Sequence, residues 1–143
     1  MSRGFVAVKT VAIDAPRADV WDALTEPDKV KQYMHGTQMS TDWKVGSQIS
    51  WKGEWKGKAY EDKGQVLEVE PQKRLSYTHW SPLGGSEDRP ENYHTLTYEL
   101  TGEAGKTTLT LKQDNNATEE EARKMAEDNW GPVLMGLKET AEK

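Results

Sequence analysis

The sequence predicts an α+β fold in which a curved antiparallel β-sheet wraps around a long C-terminal helix, with two short helices after the first strand. Three observations carry that expectation. Short apolar–polar alternations recur between turn signals from Gln38 to Gln113, which is the period of strands with one face buried. From Thr118 onward the apolar residues change to helical spacing. Between the first strand and the alternating region lie two short segments, each opened by a proline. A curved sheet leaves an apolar face to be covered, and the terminal helix is the one predicted element long enough to cover it. Residues 1–143 are read as a single domain, since a chain of this length sits within the ordinary size of one.

The elements follow in order. Phe5 to Ile13, rich in Val with polar residues interleaved, reads as a strand stopped by Asp14-Ala15-Pro16. Pro16 suits the first position of a helix whose apolar face is Val20, Trp21, Ala23 and Leu24. Thr25-Glu26-Pro27-Asp28 reads as a second helix start with Thr25 as cap, and Val30, Tyr33 and Met34 face inward from it. Asp42 to Gly46 is a turn, and Ile49, Trp51, Gly53 and Trp55 share one face of the next strand. Gly57 turns the chain again. Gly64 to Glu70 is a strand ended by Pro71, and strict alternation places Glu68 on the face of Gly64 and Val66. Leu75, Tyr77 and His79, then His94, Leu96, Tyr98 and Leu100, and finally Leu109 and Leu111, set the inward faces of three further strands. Gly102 and Gly105 mark the hairpin between the last two. Ser81 to Asn92 has no period and reads as a loop of the length that often forms a lid. Thr118-Glu119-Glu120-Glu121 is a capping box, and Ala122, Met125, Ala126, Trp130, Val133, Leu134 and Leu137 form the stripe of the last helix. Pro132 cannot donate to the carbonyl of Asp128, so a kink is expected there.

Composition narrows the function classes. With 24 acidic against 19 basic residues the net charge is −5, and no basic run offsets it, which argues against nucleic acid as a partner. The absence of cysteine excludes disulfides, thiolate metal sites and cysteine nucleophiles. No apolar run approaches a membrane span, and the N-terminal residues lack the apolar core of a signal peptide, so a cytoplasmic location is expected. Only 34% of residues are hydrophobic, yet there are six Trp and five Tyr against one Phe. Such side chains, with an apolar body and a polar handle, suit the walls of a partly wet cavity as well as an ordinary core.

The order and spacing of several short pieces resemble the START-like, birch-pollen-allergen-like (SRPBCC) superfamily, and within it the branch of activator of heat-shock-protein-90 ATPase homologues. The pieces are Ile13-Asp14-Ala15-Pro16 with Val20 to Thr25, Val45-Gly46, Gly64 to Val69, Pro71 to Leu75, Lys106 to Leu111, and Trp130 with Leu134 and Leu137. The resemblance implies a helix-grip fold with a central cavity, in a superfamily whose members bind apolar ligands, act as cyclases or work as co-chaperones.

Candidate site residues follow from the inward registers. Met34, Trp51, Trp55, Tyr60, Tyr77, His79, His94, Tyr98, Gln113, Trp130 and Leu134 are expected to line one ligand cavity, mostly apolar with a few polar groups. The competing expectation is a fully packed interior, because proteins fill space at crystal-like density. His79 and His94 could begin a metal site only with a further ligand, and no local ligand spacing supplies one. They could also serve as general bases beside Tyr60, Tyr77 or Tyr98 in a cyclase or hydrolase. Serine-nucleophile motifs, phosphate loops and dinucleotide fingerprints are missing, so no catalytic residue, metal or cofactor is assigned. The expected function is binding of a small apolar or amphiphilic molecule without covalent chemistry, with docking on a chaperone as the alternative.

Overall fold

The computed structural model describes residues 5–34, 36–55, 57–81, 87–103, 105–116 and 118–142, with the side chains of Trp55 and Pro90 outside the description. Strand β1 (Phe5–Ile13) leads into helices α1 (Arg17–Thr25) and α2 (Pro27–Tyr33). Six strands follow: β2 (Gln38–Ser40), β3 (Gln48–Trp55), β4 (Lys58–Glu70), β5 (Arg74–His79), β6 (His94–Thr101) and β7 (Thr107–Asn116). The chain ends in α3 (Glu119–Lys124), a π-helical segment (Met125–Trp130) and α4 (Gly131–Glu142). All seven strands form one antiparallel sheet in the order β1-β7-β6-β5-β4-β3-β2. This is the helix-grip arrangement the alternation and the terminal stripe predict.

Burial shows which face the helix grips. Ile49, Val66, Leu75, Leu96, Leu109 and Leu111 on the inner face of the sheet are at most 1% exposed, as are Leu134 and Leu137 on α4. Val20, Ala23, Leu24 and Val30 of the short helices join the same core, so α1 and α2 close one end against α4. Close approach there depends on Gly136, where a Cβ would stand 2.8 Å from the Cβ of Tyr33. The Thr118 hydroxyl accepts from the Glu121 amide at 3.0 Å, capping the terminal helix as its sequence predicts.

Three local expectations are corrected, and the interruption at Pro132 takes a definite form. Glu26, not Thr25, caps α2; the Thr25 hydroxyl instead donates to the Trp21 carbonyl at 2.8 Å, finishing α1. Pro16 is itself the capping residue of α1, one place outside the first helical position. At Pro132 the chain does not simply break its ladder: the turn before it widens into the π-helical segment, a register in which a donor missing from the four-residue pattern is absorbed. Glu68 does not share a face with Val66. Val66 pairs with Tyr77 but Glu68 with Ser76 and Val69 with Leu75, so one extra residue, the exposed Leu67, bulges out between them. The bulge turns Glu68 outward, where it pairs with Arg74 at 3.0 Å, and Val69 inward against the core.

Within the described part of the loop after β5, Asp88 pairs with Lys63 and accepts from the Tyr93 hydroxyl at 2.6 Å, while Tyr93 stacks on Trp80 with ring centroids 6.3 Å apart. Lys63 alternates to the outer face of β4, so residues 87–93 lean on the outside of the sheet. Residues 82–86, the middle of the expected lid, lie outside the described residues.

Candidate functional site

The strand register sorts the inner face into two ends. Asp62 lies opposite Trp51, His79 opposite His94, and Leu96 opposite Gln113. Cross-strand partners share a face, so Asp62, His79, His94 and Gln113 all stand on the gripping side, along one end of it. Toward the other end lie Leu75, Leu100, Leu109 and Leu137, fully enclosed.

Between them runs a ladder of rings. Trp51 sits edge-on to His79 with centroids 5.1 Å apart, Tyr77 lies 5.2 Å from Trp51, and Tyr98 lies 6.0 Å from Tyr77. Trp43 flanks Tyr77 at 6.3 Å and is held by its indole N–H donating to the Thr25 carbonyl at 2.9 Å. Tilted and edge-on contacts at these separations suit the ring quadrupoles. Trp51, Tyr77 and Tyr98 are buried, 4–7% exposed, yet two of them carry hydroxyls. Tyr77 donates to Tyr98 at 3.2 Å, which leaves the Tyr98 proton outside that bond. Burial pushes the Tyr98 phenol up to about 12 and the Tyr77 phenol well above the ordinary value, the latter with help from Tyr98 beside it. Both are neutral donors at physiological pH.

The open end is polar. Asp62 Oδ2 lies 2.9 Å from His79 Nε2, with side-chain exposures of 15% and 27% respectively. Asp62 Oδ1 is buried and has no hydrogen-bond partner among the described residues. A donor is missing there, because buried carboxylate oxygens are ordinarily satisfied. His94 Nδ1 lies 2.8 Å from the Asp114 carbonyl; since a carbonyl only accepts, this nitrogen carries a proton and Nε2 is free to accept in the neutral ring. The Trp130 indole N–H donates to Gln113 Oε1, tying the π-helical segment to β7.

The predicted site residues are therefore distributed unevenly. Trp51, Tyr77, His79 and Tyr98 form one connected group, and Gln113 with Trp130 a second. His94 lies across the strand pair from His79 but bonds to Asp114. Leu134 is part of the closed core, with half-buried Met34 packed on its edge. Tyr60 covers Gly53, where a Cβ would meet its hydroxyl at 2.5 Å, and shares a 2.8 Å hydrogen bond with Thr37. The Trp55 side chain lies outside the described residues. Sequence reasoning missed Asp62 and Trp43. Asp62 could have been found by folding β3 and β4 about the Gly57 turn, which sets it directly across from Trp51. No group of His, Asp or Glu capable of holding a metal ion occurs among the described residues.

A cleft of about 530 Å³ opens on the outer face of the sheet, beside Gly64, Thr78 and the Lys63–Asp88 pair. Its charged groups already satisfy each other. The inner face retains the unmet hydrogen-bonding capacity.

The model of the family described as Activator of Hsp90 ATPase homolog 1-like protein matches residues 14–142. The chain belongs to this family. No curated protein matches the sequence. Among solved structures, ChR145 from Cytophaga hutchinsonii is 50% identical, with 97% of this chain and 94% of that one covered and a TM-score of 0.83. The Aha1 dimer from Colwellia psychrerythraea is similar in fold, at 21% identity, 96% coverage of both chains and a TM-score of 0.71. The HSP90 activator PFC0360w from Plasmodium falciparum shares the fold at 19% identity over 79% of this chain and 74% of that one, with a TM-score of 0.64. The SRPBCC superfamily and the activator-homologue branch implied by the order and spacing of the short pieces from Ile13 to Leu137 are thus the right ones. Among the described residues no helix is long and apolar enough to cross a membrane.

Proposed function

We propose that this chain binds a small amphiphilic molecule in the grip between sheet and helix and leaves it chemically unchanged. The observation that carries the reading is the gradient along one face: buried rings Trp51, Tyr77 and Tyr98 continue into the partly exposed, hydrogen-bonding pair Asp62–His79. An apolar body with a polar end matches that gradient, and sites for small molecules are commonly built from apolar walls with a few placed polar groups. Half-buried Met34, Trp43 and Trp130 at its margins add adaptable or polar-tipped walls. Contact with the half-buried side chains at its margins would supply the affinity, and the polar end the orientation.

Native mass spectrometry against a panel of lipids and aromatic compounds tests this, with tryptophan fluorescence as the second readout. The reading expects at least one amphiphile to be retained and to perturb emission from the ring ladder. A panel with no binder would end it.

A second reading, docking on a heat-shock-protein-90 chaperone, is favoured by the family match. Pull-down with that chaperone from the same cell and an ATPase assay address it directly. Absence of association at about 50 μM would retire it.

A further inference from the structure

We infer that the polar head of the ligand is a hydrogen-bond donor, a hydroxyl or an amine, received by Asp62, and that carboxylate-headed amphiphiles are rejected. This rests on the ligand-binding reading above. An ionised carboxylate only accepts hydrogen bonds. One oxygen of Asp62 is used by His79, and the other, Oδ1, is buried without a donor among the described residues. Left alone, such an oxygen is a standing cost, because burial has removed its water and nothing has replaced it. A ligand donor reaching it converts that cost into affinity, and a ligand acceptor placed there adds to it.

The surroundings reinforce the choice. The nearest lysine along β4, Lys63, alternates to the outer face and is engaged by Asp88, so it offers no cation to a carboxylate head. Trp51 presents its ring between the Asp62–His79 pair and Tyr77, an apolar contact for the first carbons behind the head. Oδ1 is closed to solvent, so the donor arrives as the partly exposed imidazole of His79 gives way; the terminal torsion of an aspartate is broad and allows the carboxylate to turn with it.

Four probes of equal chain length separate the possibilities: 1-decanol, decylamine, decyl methyl ether and decanoate, titrated by tryptophan fluorescence and calorimetry into the whole chain. Decanol and decylamine are expected to bind roughly tenfold or more tightly than the ether and decanoate, since the ether keeps the oxygen but lacks the donor. In Asp62→Asn that preference should fall to within about threefold while ether binding is retained, because the apolar contacts are untouched. Equal affinity for alcohol and ether, or a preference for decanoate, would overturn the donor assignment and leave the ligand-binding reading standing. The same preference persisting in Asp62→Asn would move the acceptor elsewhere and equally overturn it. Failure of all four probes to bind would remove both claims.

Discussion

The two ends of the grip are built from the same strands but not on the same terms. At the closed end, Leu75, Leu109 and Leu137 leave almost nothing to solvent and carry no polar atom beyond the backbone. At the open end, Asp62, His79, His94 and Gln113 occupy equivalent inward positions with hydrogen-bonding groups, one of them unmet. Apolar burial is worth roughly 25 cal/mol per Å², whereas a hydrogen bond nets about 1 kcal/mol and an unmade one costs more. The closed end therefore accounts for stability. The open end adds little to it and is where a ligand can change the balance.

The largest effect should appear where the packing is tightest. Leu109→Ala removes a side chain with no exposed surface from β7, where it lies between β1 and β6 on the gripping face. Such truncations cost about 2–5 kcal/mol, part lost burial and part residual cavity. Urea denaturation followed by circular dichroism should show the midpoint fall accordingly. A loss under about 1 kcal/mol would mean that the closed end is not the stability core, and the contrast would fail.

Alkaline pH probes the boundary between the ends. Tyr98 and Tyr77 titrate near pH 10 when unfolded, but burial raises Tyr98 to about 12 and Tyr77 well above its ordinary value in the fold. Deprotonation then favours the unfolded chain. Stability from these groups is complete below pH 10 and is lost as pH rises toward 12, by about 2–3 kcal/mol for Tyr98 alone. Absorbance at 295 nm during unfolding at stepped pH measures it. Ionisation of every phenol near pH 10 with the fold intact would show that the ladder is wet, and would shift it to the open end.

Period decides how much of this is legible in the sequence. The strands, the inward faces of β5 to β7 and the capped terminal helix all repeat over several residues, and each repeat reinforces the last. Features that depend on one residue escaped. The bulge at Leu67 reverses the face of Glu68 without leaving a mark in the alternation, because one inserted residue looks like a slip. The role of Thr25 hinged on a helix boundary, where a shift of one position changes a cap into a last turn. Trp51, Tyr77, His79 and Tyr98 were legible as a group because three strands repeat the same face. For Asp62 only the place was within reach: the Gly57 turn sets it across from Trp51, but its unmet oxygen is a property of three-dimensional packing.

The smallest expected effect is also the one that tests the contrast most sharply. Asp62→Asn keeps the shape of the side chain and an oxygen able to accept from His79, and removes the charge from a group that is mostly buried. If the carboxylate held the fold together, its neutralisation would break a paired buried charge and cost several kcal/mol. The unmet Oδ1 points the other way: the native pair already bears an unsatisfied oxygen, so neutralising it gives back some desolvation as it weakens one bond. The two terms oppose, and the change in stability should stay within about 1 kcal/mol in either sign. Denaturation midpoints of Asp62→Asn beside Leu109→Ala measure both ends in one experiment. A loss above about 2 kcal/mol would make Asp62 a structural group. The open end would then be an extension of the core and not a place kept ready for a ligand.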